Sequence, residues 1–250
     1  MNQQTFEEQE IPLADLENIG LGKDGRLLLK DEDLKALLTG SRTQLIRLEN
    51  LVSGDVRIEA IDAKLSLKRN ENGALDLMIH PIYQTPLAPA FLTEDEALAL
   101  EDGELPNLEK SYVDDHGIFR DVLVEYDKET KEFVITDTER VLVPDFVNSE
   151  KLTAEQKERY RKGKEVELQD GTKFQFTGTK PEGIRSNRLA LVASIIVDGG
   201  LSFMVYHGLK ALFGKKHDQE VAKVHSAGYE QAVKDMQLAK HRAGAFTNSR

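Results

Sequence analysis

Apolar and polar residues alternate in two long stretches of the chain, and each stretch predicts a pair of antiparallel strands. In "AKLSLKRNENGALDLMIHP" the apolar positions are Leu65 and Leu67, then Leu75 and Leu77, on either side of Asn72-Gly73, a dipeptide suited to a tight hairpin turn. In "DVLVEYDKETKEFVITDTE" they are Val122, Val124 and Tyr126, then Phe133 and Ile135, around a polar turn from Lys128 to Lys131. Pro81 and Pro144 follow the two hairpins.

Ahead of each hairpin lies a short helical pattern, and the pattern recurs a third time. "LKDEDLKALLTG" begins at Leu29, "LTEDEALALEDG" at Leu92 and "LTAEQKERYRKG" at Leu152, each closing on a glycine, Gly40, Gly103 or Gly163. Leu45, Leu108 and Leu168 take the same place after each glycine, where a strand is expected to begin. Thr93 and Thr153 are placed as N-caps before acidic first turns, and the glycines suit a left-handed exit from the helix. The third copy departs from the pattern, because "KFQFTGTKPEG" runs into an apolar segment instead of a complete second hairpin.

The predicted fold class is therefore α+β: repeated helix-plus-β-hairpin modules of about 60 residues, followed by an apolar helix or helical hairpin and a C-terminal helix. The expected divisions are an N-terminal segment (1–28), a first module (29–91), a second (92–151), a partial third (152–187), an apolar helical segment (188–214) and a basic helical tail (215–250).

"LALVASIIVDGGLSFMVYHGL", Leu189 to Leu209, is the most apolar run. On a helix, Ser194, Asp198, Ser202 and Tyr206 would form one polar stripe among apolar faces, as in a buried helix with one specific contact. Gly199 and Gly200 could instead divide the run into two short helices packed as a hairpin. The length also matches the approximately 20 residues that cross a hydrocarbon core, so membrane association through 189–213 is an alternative. Asp198 is either a paired buried charge or the cap of a second helix. The candidate interaction surface is Ser194, Ile195, Asp198, Gly199, Gly200, Ser202, Val205 and Tyr206. After it, 217–242 predicts a helix with Val221, Val224, Tyr229, Ala232, Val233 and Met236 near one side, and the final "AGAFTNSR" is expected to fray.

Composition narrows the function classes. The 250 residues are 40% hydrophobic, ample for a core, and the net charge of -11 opposes direct nucleic-acid binding, which needs Lys and Arg against phosphate. From Arg185 onward ten Lys and Arg face five Asp and Glu, so the chain pairs an acidic head with a basic tail. The chain has no Cys, which removes disulfides, thiolate metal sites and thiol nucleophiles. The acidic N-terminal stretch has no apolar core of a secretion signal, so the expected location is cytoplasmic, with inner-membrane association as the alternative.

Chemistry-bearing motifs are scarce. "GLGKDG", Gly20 to Gly25, matches G-x-G-x-x-G, but a short helix is predicted before it in place of a buried strand, so it reads as a turn. Asp114-Asp115-His116 next to Gly117 also reads as a turn, although Asp and His could bind a metal or exchange protons. No catalytic, cofactor-binding or metal-binding residues are assigned, and no small-molecule substrate is identified. An enzyme is the minority expectation.

"LENIGLGKDGRL", "LLTGSRTQLI", "AKLSLKRNENGALDLMIHPI", "FLTEDEALALEDGE" and "KLTAEQKERYRKGKEVEL" together resemble uncharacterised domain families carried on conjugative and other mobile elements of Bacteroidetes. The resemblance spans approximately 10 to 175 and implies an accessory role beside DNA-processing proteins, with no catalytic residues to carry over. The expected function is a non-enzymatic protein-binding or scaffolding accessory protein that engages a protein partner or self-associates.

Overall fold

Asn70 organises the turn of the first predicted hairpin: its side-chain carbonyl accepts from the backbone N–H groups of Asn72 and Ala74, 3.0 Å each. Gly73 completes the turn at φ 81°, a left-handed conformation that glycine adopts without steric cost. The computed structural model describes residues 6–53, 55–114, 116–188, 190–197, 200–206 and 226–247. The chain divides into two compact units, one of Met1–Leu142 with Thr177–Gly183, the other of Val143–Phe176 with Ile184–Arg250.

The first unit begins with α1 (Leu13–Asn18), then β1 (Gly22–Lys23) and β2 (Arg26–Leu27), paired through Lys23 and Arg26. Asp24 and Gly25 between them have φ 50° and 77°, the pair of positive values a two-residue hairpin turn needs. The Gly25 N–H donates to Glu17 Oε1 at 2.9 Å, so "GLGKDG" is a β-turn tied to α1.

Two helix-and-sheet layers follow. α2 (Asp31–Leu38) leads into the antiparallel sheet β3 (Ile46–Ser53), β4 (Val56–Arg69) and β5 (Leu75–Pro81). Leu65, Leu67 and Leu75 point from this sheet into a core with Leu16 and Leu37 of the helices and with Phe6 and Ile11. α3 (Glu94–Asp102) leads into β6 (Leu108–Val113), β7 (Phe119–Asp127) and β8 (Glu132–Asp137), again antiparallel in chain order. Its core joins Ala97 and Leu100 to Val122, Val124 and Phe133. Thr93 caps α3 reciprocally with Glu96, and Gly103, at φ 79°, ends it.

In the second unit, β9 (Phe146–Val147) and β10 (Glu150–Lys151) precede α4 (Ala154–Arg161), which Thr153 caps with Gln156. β11 (Val166–Glu167), β12 (Lys173–Phe176) and β13 (Ile184–Ser186) form a third antiparallel meander, and Tyr160 of α4 packs at 5.7 Å and 6.0 Å from the Phe174 and Phe176 rings. Where a partial module was expected, three short strands are present.

The apolar run is where the fold departs from expectation. β14 (Leu191–Val197) and β15 (Gly200–Tyr206) pair antiparallel in the sheet order β10-β9-β14-β15; among the described residues of the run there is neither an apolar helix nor a helical hairpin. The β-branched residues Val192, Ile195, Ile196, Val197 and Val205 favour extended backbone. Five consecutive residues of β14, Leu191 to Ile195, are buried, which erases the alternation that ordinarily marks a strand. Among the described residues no helix is long and apolar enough to cross a membrane.

The last helix, α5 (Ala227–Thr247), packs Tyr229 and Ala232 against Ala190 and Val192. Ser226 caps it, its hydroxyl accepting from the Tyr229 N–H and donating to Asp170. Helical backbone extends through Thr247, into the segment 243–250 for which fraying is expected. Val221 and Val224 of the predicted apolar side lie outside the described residues.

Candidate functional site

Lys64, Ser66 and His80 share one face of the β4–β5 ladder, opposite the face that carries Leu65 and Leu67 into the core; Lys64 stands opposite His80 and Ser66 opposite Met78. The β7–β8 turn closes over part of this face. Lys64 Nζ donates to Asp127 Oδ2 at 2.8 Å and to the Thr179 carbonyl at 2.9 Å, and lies 2.7 Å from Glu129 Oε2. Arg42 Nη1 donates to Glu132 Oε2 at 2.6 Å. His80 stands between two partners, with Nε2 2.8 Å from Ser66 Oγ and Nδ1 3.2 Å from Glu132 Oε2.

Burial works to raise the Glu132 carboxyl, but hydrogen bonds from His80 and Arg42 and the Arg42 charge prevail and hold it at about 2. Glu132 is therefore ionised at neutral pH and can only accept hydrogen bonds. Nearby, Glu125 accepts from the Gly178 N–H, so the 177–183 segment is tied to this unit at both Lys64 and Glu125.

A second feature is apolar. The β6–β7 hairpin ends in Val113, Ile118 and Phe119, all exposed, Phe119 to 68%. Asp114 makes this end rigid: Oδ1 accepts from the N–H groups of His116 and Ile118 at 3.0 Å and 2.9 Å, and Oδ2 accepts from Arg120 Nε at 3.0 Å. Those bonds, the Ile118 N–H foremost among the lowering influences, hold the Asp114 carboxyl below the usual range. The Asp114 carboxylate is thus engaged in closing the hairpin end, and among the described residues no group of His, Asp and Glu could hold a metal ion. The β3–β4 hairpin likewise exposes Val52 and Ile58 near its end.

The interaction surface expected from sequence is redistributed. Ser194 and Ile195 are buried in β14, so neither is an open surface, and neither belongs to a helical stripe. Ser194 pairs in register with Phe203, Ile195 with Ser202, Val192 with Val205, Leu191 with Tyr206 and Val197 with Gly200. The four-residue recurrence of Ser194, Ser202 and Tyr206 therefore gathers no common stripe. Asp198 and Gly199 lie outside the described residues. The Lys64, Ser66, His80, Asp127 and Glu132 cluster had no spacing signal, because its members come from positions up to 68 residues apart and each looks like an ordinary polar position of a strand or turn.

Residues 6–89 match the family described as "Protein of unknown function (DUF4099)". The match is shorter than the resemblance traced from 10 to 175; it includes Lys64, Ser66 and His80 but ends before Asp127 and Glu132. No curated protein and no solved structure matches the chain.

Proposed function

We propose that the chain is a protein-binding accessory protein of a mobile genetic element, built from three copies of one helix-and-meander module. The element context rests on the sequence resemblance. The copying rests on the common order of capped or acidic helix, left-handed glycine and three antiparallel strands. The observation that carries the binding role is the exposed cluster of Val113, Ile118 and Phe119 on a hairpin end that Asp114 and Arg120 hold in shape. Large apolar side chains grouped at a rigid, exposed position contribute nothing to a core and suit a protein partner. The first module presents Val52 and Ile58 on the equivalent hairpin.

A photo-crosslinking phenylalanine analogue in place of Phe119, in cells that carry the native gene, tests this. The expected result is a discrete adduct, absent from a control at exposed Glu139 and lost when Val113 and Ile118 become Ser. Equal patterns at the two positions would overturn the binding surface.

A further inference from the structure

We propose that Ser66 is a nucleophile that accepts acyl groups from small carboxylic esters, with His80 as its base and Glu132 orienting the imidazole. Beyond the binding role, this gives the first unit a chemical capacity that none of its sequence motifs announces. The assignment follows from which atom faces which. Ionised Glu132 can only accept, so the His80 nitrogen beside it, Nδ1, carries the proton that bridges their 3.2 Å. In the neutral ring Nε2 is then the bare nitrogen, and Ser66 Oγ, 2.8 Å away, donates its hydroxyl proton to it. Nucleophile, base and orienting carboxylate thus stand in the order that activates a serine, on two strands of a sheet and the first residue of a third.

The surroundings define the substrate class. Ser66 is half-buried, and Met78, directly across the ladder, is exposed beside it, so a short apolar acyl group has one thioether wall to lie on. Lys68 projects from the same face two residues along, roughly 7 Å from Ser66 at strand spacing, and is exposed. Its cross-strand neighbour is Asp76, and a swing of the long, exposed Lys68 side chain away from it would bring an ammonium to a carbonyl oxygen that becomes an oxyanion. Ser66 Oγ would bond to the ester carbon while its proton passes to His80 Nε2 and the carbonyl pair moves onto oxygen. Collapse breaks the bond to the leaving alkoxide, which departs as the alcohol with the proton from Nε2. Water repeats the sequence, releasing the carboxylic acid and restoring Ser66.

The full chain is treated with a fluorophosphonate probe and, separately, with p-nitrophenyl acetate, and modified residues are located by peptide mass spectrometry. The expected result is an adduct on Ser66 and ester turnover, both lost in Ser66→Ala and slowed at least tenfold in Glu132→Gln, with circular dichroism confirming that Ser66→Ala is folded. A folded wild-type chain without a Ser66 adduct overturns the proposal, as does a Ser66→Ala chain that turns over ester at the wild-type rate. Labelling of Ser66 that Glu132→Gln leaves unslowed overturns the role of Glu132.

Discussion

Lys64 and Asp127 meet at 2.8 Å with side chains only 1% and 3% exposed, so the β4 strand and the β7–β8 turn share one buried ion pair. Both charges have been taken out of water, and Glu129, 2.7 Å from Lys64 but largely exposed, replaces Asp127 only in part as its counter-charge. Removing one partner is therefore expected to cost more than removing both. Asp127→Ala should lower unfolding free energy by about 3 to 5 kcal/mol, and Lys64→Met combined with Asp127→Leu by less, as urea denaturation followed by circular dichroism will show. A double variant less stable than Asp127→Ala would count against the pair as the cause.

Acid should act through Glu132. Its folded-state carboxyl is held at about 2 and the ordinary value is 4.5, so the stabilisation is fully present above roughly pH 4.5 and is lost as pH falls toward 2. The difference corresponds to on the order of 3 kcal/mol. Glu132→Gln removes this contribution, so the stability gap between wild type and variant should narrow across that window. A gap that stays constant from pH 6 to pH 2.5 would refute the linkage, and the comparison cancels carboxylates common to both chains.

The end of α3 should resist any side chain that disfavours a left-handed backbone. Gly103 has φ 79°, and a Cβ there would lie 2.9 Å from Lys128 Nζ, the movable tip of a long side chain. The backbone rather than the contact therefore sets the cost. Gly103→Val should destabilise by about 1 to 2 kcal/mol, and Gly103→Asn by less, since Asn tolerates this region. Equal melting temperatures for the two variants would contradict this.

Adjacent isoleucines of β14 offer a test of strand against helix. Ile195 is buried and Ile196 is 50% exposed. Ile195→Lys should cost several kcal/mol through an unpaired buried charge, whereas Ile196→Lys should stay within about 0.5 kcal/mol. Similar losses at both positions would argue that the run is enclosed on all sides.

Local grammar was legible in the sequence wherever neighbours in the chain decide the outcome. Thr93 and Thr153 cap helices as their positions imply, Gly73 sits in the hairpin turn, and Gly25 closes a turn instead of cradling phosphate. The apolar run misled because a strand buried along consecutive residues has no period to read, and the spacing of Ser194, Ser202 and Tyr206 imitated a helical stripe. The polar cluster was illegible for a different reason. Lys64 and Ser66 occupy alternate positions that in an isolated hairpin would face water, and only the approach of Asp127 and Glu132 from another sheet encloses them.

The seven residues 177–183, which leave the β12–β13 meander to join the first unit, bear on how such a gene can change. A fragment ending at Leu142 would encode Lys64 without the Thr179 carbonyl and Glu125 without the Gly178 N–H. A fragment starting at Val143 would carry a loop whose hydrogen-bonding partners stay behind. A cut at that single junction therefore strips backbone groups of their partners on both sides, so neither fragment is expected to be as stable as the same residues in the full chain.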